Sequence, residues 1–414
     1  MTITEAELLD NARAMKGKLA AAGYCYVVMD AGWFNPDPER ASKTETPRVM
    51  LDELGRLLPA PDRFPSSRGG VGLRDVSRRI HDLGLKFGIH MMRGIPRAAV
   101  EQNTPVLGTK LRARDIANLE SRCVWNQEMY GVAVDKPGGQ EYYDSVAQLL
   151  AQWELDFVKG DDLAAPYYAE EITAFSQALR RSGRDILFSL SPGGVVPSES
   201  TRHARGLCEM QRVSKDLWDA WLEEDPGFTS LKEQFDVARV WQGNAAPGYW
   251  PDLDMLPIGQ LSLRGPRGPR RLSQLSHDEQ VTLLTLWAMF GSPLMIGGEL
   301  TSLADESLRL LTNPSMLRVQ QTGRNGRELW RRENHVAWRS ELGAGVVAVA
   351  LFNLADGPER LGLTRADVPE LAEGDVFDAW HNEPFAAAHG VLAADIPAHG
   401  ARLFLVTPSG TRVS

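Results

Sequence analysis

From residue 5 to about residue 300 the chain alternates between two patterns of hydrophobic positions. Apolar residues recur at helical spacing over 5–21, 73–82, 141–153, 169–181, 231–240 and 279–290, and short apolar runs fall between them at 24–30, 86–92, 155–159, 185–190, 207–212 and 293–296. Helix and strand in alternation predict βα units around a parallel sheet. One helix start is marked directly, because Ser276-His277-Asp278-Glu279 has the Ser-x-x-Glu spacing of a capping box. So many units in about 300 residues suit a (β/α)8 TIM barrel better than a doubly wound sheet, and no Gly-rich phosphate loop favours the latter. After about residue 320 the texture changes to short apolar runs at 346–352, 374–377 and 402–406, separated by Gly, Pro, Asp and Asn. That pattern predicts a small antiparallel β-sandwich. The expected domains are a barrel over 1–318 and a sandwich over 319–414. The stretch 261–273, with Arg264, Arg267, Arg270 and Arg271 among glycines and prolines, is expected to be a solvated loop without chemistry.

Charge narrows the partners. The 45 Lys and Arg residues against 54 Asp and Glu give a net charge of −9, which argues against nucleic acid or an anionic membrane and suits a neutral or cationic ligand. No run approaches the ~18 apolar residues of a membrane span, so a soluble protein is expected. Cys25, Cys123 and Cys208 are odd in number and scattered, which implies free thiols rather than a disulfide framework or a zinc site. The N-terminus runs from Met1 to Ala6 straight into a helical pattern with no export signal, so a cytoplasmic location is expected. Eleven tryptophans supply flat faces of the kind that stack on sugar rings, although most tryptophans in proteins are core.

In a barrel, chemistry collects at the C-terminal ends of the strands. Asp156-Phe157-Val158-Lys159-Gly160-Asp161-Asp162 is an apolar strand that ends in charge, and strand alternation puts Lys159 and Asp161 on one face. Either these charges cap a strand in solvent, or the ammonium holds a functional carboxylate ionised at a barrel mouth. The other strand ends share the character: Asp30 and Trp33; His90 and Arg93; Ser189 and Ser191 before Pro192-Gly193-Gly194; Arg212 and Asp216; Asp252 and Asp254. Singly, each Asp is more often a cap or a solvated turn. Converging, they are what glycosidic cleavage needs, with one carboxylate attacking or directing water and another protonating the leaving oxygen. A barrel metallohydrolase would want several histidines at strand ends, and only His90 is so placed, so no metal and no cofactor is expected. A Schiff-base role for Lys159 is disfavoured because Asp161 keeps the amine protonated.

Four segments together resemble glycoside hydrolase family 27, the melibiase or α-galactosidase family: Tyr26-Val27-Val28-Met29-Asp30-Ala31-Gly32-Trp33, Gly84-Leu85-Lys86-Phe87-Gly88-Ile89-His90, Asp156 to Asp161, and Trp250-Pro251-Asp252-Leu253-Asp254-Met255-Leu256. A fifth, from Asp278 through Leu286-Trp287-Ala288 to Ser292-Pro293-Leu294-Met295, is similar to the family's last barrel helix and strand. The resemblance implies a retaining exo-glycosidase for terminal α-galactose-like residues, with an oligosaccharide or glycoside as substrate. It makes Asp161 the nucleophile and Asp216 the acid/base, with Asp30, Trp33, His90, Lys159, Ser191, Arg212 and Asp254 on the sugar. Asp162 is the alternative nucleophile, on the face opposite Lys159. Three departures bear on the sugar and the fold. The family's paired Asp is here Asp30-Ala31, so one carboxylate that grips galactose hydroxyls is missing, which would suit a pentopyranose such as β-L-arabinopyranose. Ser189-Leu190-Ser191-Pro192-Gly193-Gly194 resembles the version that accommodates an acetamido group in α-N-acetylgalactosaminidases. The family's first strand, with its Trp-Asn-Ser-Trp motif, has no counterpart before Thr2. With the first strand absent, a non-catalytic sugar-binding relative is the alternative from another class.

Overall fold

The computed structural model describes residues 2–37, 48–265 and 267–410. The chain forms two compact units, Met1–Arg212 with Ser262–Pro269, and Val213–Leu261 with Arg270–Ser414.

In the first unit, strands Tyr26–Met29, Lys86–Met92, Phe157–Asp161, Leu187–Leu190 and Met210–Arg212 pair in parallel in that order. Helices Glu5–Lys18, Arg74–His81, Gly139–Gln152 and Ala169–Arg181 alternate with them. A parallel sheet covered on both faces needs continuous apolar strands, and every residue of Lys86–Met92 after Lys86 is buried. Close strand approach is built in at Gly88, where a side chain would meet the Phe157 side chain at 2.6 Å. The register is what matters for chemistry: Lys159 lies beside His90 and Ser189, and Asp161 beside Met92. Thr4 and Glu7 form a capping box on the first helix, and Arg264, from the stretch expected to be idle, ion-pairs with Glu7 at 3.1 Å.

In the second unit, the helix His277–Phe290 begins at Ser276 with the Glu279 capping box expected of it. It docks onto an antiparallel assembly: Thr282 donates to the His399 carbonyl at 2.6 Å and Trp380 to the Thr285 hydroxyl at 2.9 Å. One antiparallel sheet runs Arg324–Arg332, His335–Gly343, Val346–Asn353, Ala401–Thr407, Asp375–Asp378, Glu383–Phe385, and a second pairs Glu359–Thr364 with Val391–Ile396. Between them lies an apolar core that includes Val349, Leu351, Leu363, Leu392 and Phe404. The run 293–296 does not form the expected strand; Ile296 makes an isolated parallel bridge to Leu256. Nor is 261–273 simply a loop, since Gln260–Leu261 pairs with Arg271–Leu272 and Arg271 binds the Asp219 carboxylate at 2.5 Å. No described helix is long and apolar enough to cross a membrane.

Candidate active site

The Phe157–Asp161 strand delivers two neighbouring carboxylates into opposite surroundings. Asp161 lies almost buried, with Oδ2 at 2.9 Å from Nε2 of buried His90. Burial opposes its ionisation, but the His90 hydrogen bond and charge, then Lys159 and Arg212, outweigh burial and hold the carboxyl well below the usual range. Asp162 turns away at a left-handed φ of 58°. Its carboxylate takes Arg93 at 3.0 Å, and burial pushes its carboxyl up despite that partner. Arg93 is itself tied down, pairing with Glu171 at 2.6 Å and lying 3.6 Å over the Tyr168 ring. Asp162 is therefore part of a buried ionic lattice, whereas Asp161 faces the strand ends.

Around Asp161 the predicted residues converge. The Lys159 ammonium sits 3.7 Å from Asp30. Surrounding protein works against ionisation of Asp30, and Lys159 and His90 more than offset it; its side chain is 72% exposed, so water screens part of that pull. Arg212 is buried and donates to the Pro192 carbonyl at 2.9 Å. Ser191 is wholly buried, its amide donating to the Gly160 carbonyl at 2.8 Å. Among the described residues, neither the Ser191 hydroxyl nor His90 Nδ1 has a hydrogen-bond partner. Other buried side chains also carry polar atoms without partners, and these two stand out by their place, on residues that bond to Asp161 and to the Gly160 carbonyl before it. Trp33 stands apart from the predicted sugar contacts. It is fully buried, donates to the His90 carbonyl at 2.8 Å and packs edge-on against Phe34 and Trp153. Its place is behind the His90 strand, which it positions.

The second unit carries its own acidic group. Asp216 is exposed on a two-residue strand with Leu217, paired in parallel with Phe228–Thr229. Asp254, at φ 82°, accepts the Leu217 amide at 2.7 Å, and its own amide donates to Asp252 at 2.9 Å. Trp287 donates to its carbonyl at 3.0 Å. One carboxylate thus fixes the backbone that presents the other.

Sequence reasoning missed the segment between strands Ala117–Arg122 and Met129–Val132. Burial, then the Asp162 charge, pushes the Cys123 thiol up to about 12, while backbone amides at Trp125 and Asn126 pull the other way. Burial likewise raises the Glu128 carboxyl against the Asn126 hydrogen bond and the pull of His90. No spacing motif marks this segment; a lone tryptophan among polar residues was its signal.

A parallel sheet with converging carboxylates and a C-terminal antiparallel sandwich is the build of a glycoside hydrolase. The alpha galactosidase A family model matches residues 124–322, and the alpha galactosidase C-terminal beta sandwich model matches residues 332–406. The GH27 β-L-arabinopyranosidase of Geobacillus stearothermophilus is 39% identical with a TM-score of 0.92, covering 98% of this chain and 94% of that one. A structure described as a putative α-N-acetylgalactosaminidase from Bacillus halodurans is 38% identical with a TM-score of 0.87, covering 99% and 94%. Human alpha-galactosidase A is 27% identical over 80% of this chain, which spans 63% of that protein's length. The chain belongs to glycoside hydrolase family 27. Its fold is that of a TIM barrel followed by a β-sandwich, and it is a glycosidase.

Proposed function

We propose that this chain is a retaining exo-glycosidase for terminal residues of galactose configuration, that Asp161 is its nucleophile and Asp216 its acid/base, and that β-L-arabinopyranosides are its preferred substrates. The observation that carries the mechanism is the surroundings of Asp161: a carboxylate held ionised by His90, Lys159 and Arg212 is ready to attack an anomeric carbon. In the first step Asp161 bonds to C1 as the glycosidic C–O bond breaks, and Asp216 gives its proton to the departing oxygen. In the second, Asp216 takes a proton from water, which displaces Asp161 and releases the sugar. A direct displacement of this kind works with carboxyls ~5–5.5 Å apart. Lys159 and Asp30 bind sugar hydroxyls as a linked pair, with Ser191, Arg212, His90 and Asp254 completing the subsite. We set the boundary of barrel and sandwich at residues 318 and 319.

The choice of sugar rests on Ala31. Identity alone does not separate arabinopyranoside from N-acetylgalactosaminide, because relatives described by both activities stand at 39% and 38%. Ala31 puts a methyl group where the family resemblance has a second carboxylate, which removes a hydroxyl acceptor and suits a sugar without C6. The test is a panel of p-nitrophenyl β-L-arabinopyranoside, α-galactoside, α-N-acetylgalactosaminide and α-glucoside, with Asp161→Ala as control. The reading expects the arabinopyranoside to have the highest kcat/KM and the control none. Preference for the acetamido sugar would overturn the role given to Ala31, and a fully active control would overturn the nucleophile.

A further inference from the structure

We propose that Trp125 is the platform for the leaving group, and that the substrates of this enzyme carry a flat, apolar aglycone rather than a second sugar. The inference rests on the glycosidase reading above and names what lies on the other side of the bond being cut.

Trp125 is 48% exposed, unusually open for an indole that is also anchored. It is held from two sides. Cys123, two residues before it, is buried in one apolar cluster with Met92 and Met129, and Met92 pairs with Asp161 in the sheet, so the segment stands beside the nucleophile strand. Its ring lies over Gly193, whose missing side chain makes the approach possible and whose amide is fixed to the Ala165 carbonyl at 3.0 Å. Gly193 follows Pro192, the residue whose carbonyl holds Arg212. The exposed indole face therefore borders the mouth in which Asp161 works.

The surroundings favour an apolar occupant. Val124 is 88% exposed beside Trp125, and Val195 is 72% exposed two residues beyond Gly193. A sugar in this place would need donors and acceptors for its hydroxyls, and part of the capacity of the nearby polar side chains is already engaged. Asn126 bonds to Glu128 through both its amide nitrogen and its oxygen, and Gln127 accepts from Arg97. Glycine and valine, which have no polar side-chain atoms, make up 193–196. A planar aromatic ring, by contrast, gains from the indole through stacking and burial.

The experiment compares a p-nitrophenyl glycoside and the methyl glycoside of the same sugar on the intact chain, Trp125→Ala, Trp125→Phe and Gly193→Ala. Trp125→Ala should lower kcat/KM for the aryl substrate by about tenfold and leave the methyl glycoside within about twofold, as loss of one stacked contact implies. The kcat of the aryl glycoside should hold wherever breakdown of the glycosyl-enzyme limits it, because the aglycone has then left. Trp125→Phe should retain most of the aryl preference, and Gly193→Ala, which drives a methyl into the indole, should reproduce the loss. Equal losses on both substrates, or none on either, would overturn the proposal, as would a larger loss on a disaccharide than on the aryl glycoside. Calorimetric binding of both glycosides to Asp161→Ala, with and without Trp125→Ala, reads the aglycone contact without turnover. If the intact chain turns over nothing, the glycosidase mechanism fails while this binding comparison still decides the role of Trp125.

Discussion

Two strands of this protein are buried along almost their whole length and end in a polar residue, and they end very differently. Val346–Asn353, at the centre of the sandwich sheet, is buried at every position and closes on Asn353. That amide is satisfied: Nδ2 donates to the carbonyls of Gly357 at 2.8 Å and Pro397 at 3.0 Å, and Oδ1 accepts from Ala355 at 3.0 Å. Phe157–Asp161 closes on a carboxylate held ionised next to His90, with two buried polar atoms nearby, His90 Nδ1 and the Ser191 hydroxyl, left without partners. A neutral, fully bonded group at a buried strand end serves the fold. An ionised carboxylate beside buried polar atoms without partners leaves hydrogen-bonding capacity that a ligand can complete.

The comparison breaks most sharply at Asp161 itself. Asp161→Ala should reduce turnover by about 10⁴-fold or more, since without the nucleophile no glycosyl-enzyme forms. Its circular dichroism should stay that of a folded chain, with Tm lowered because the ionised Asp161 contributes stability. If activity survives, and Asp162→Ala abolishes it instead, the two carboxylates have been assigned the wrong way round. Next in size is Asp216→Ala, which should slow substrates with poor leaving groups by about 10²–10⁴-fold while sparing activated aryl glycosides. Equal losses on both would remove the acid/base role.

The structural side of the comparison is read in stability. Leu351→Ala, in the sandwich core, should cost about 2–5 kcal/mol in a denaturant titration and leave kcat/KM of the remaining folded protein unchanged. Asp162→Asn leaves Arg93 with one carboxylate fewer in a buried lattice and should likewise lower Tm without a change in the leaving-group dependence. A catalytic defect in either would mean that the line between the two kinds of strand end is drawn in the wrong place.

How much of this could be read from the sequence depends on what determined each feature. Strand bodies with continuous apolar runs were legible, as at 86–92, where prediction and strand coincide. So was the Ser276 helix start, because a capping box is local chemistry. Arg324–Arg332 and His335–Gly343 escaped notice because charged and polar residues interrupt their apolar positions, and their pairing is settled by neighbouring strands rather than by their own hydrophobicity. In the site, alternation placed Lys159 and Asp161 together, and that relation is seen in the register. What no pattern announced was conformation and burial: the left-handed turns at Asp162 and Asp254, the complete burial of Trp33, and the Arg93 lattice that occupies Asp162. Each follows from long-range packing that a single sequence does not encode locally.

The smallest expected effect tests how the nucleophile is kept ionised. Its folded carboxyl is depressed, so it contributes stability above the ordinary aspartate value of about 3.9, and that contribution is lost as pH falls below about 4. For the same reason the acid limb of kcat/KM should lie below the range of an ordinary carboxylate. Replacing His90 by Phe removes the strongest of the groups that oppose burial at Asp161, so the carboxyl pKa should rise and the acid limb should move to higher pH. Loss of one hydrogen bond to a charged group should lower kcat/KM near neutral pH by about tenfold or somewhat more. A profile that falls uniformly, with its acid limb unmoved, would mean that Lys159 and Arg212 suffice to ionise Asp161, leaving His90 a role in orienting the carboxylate.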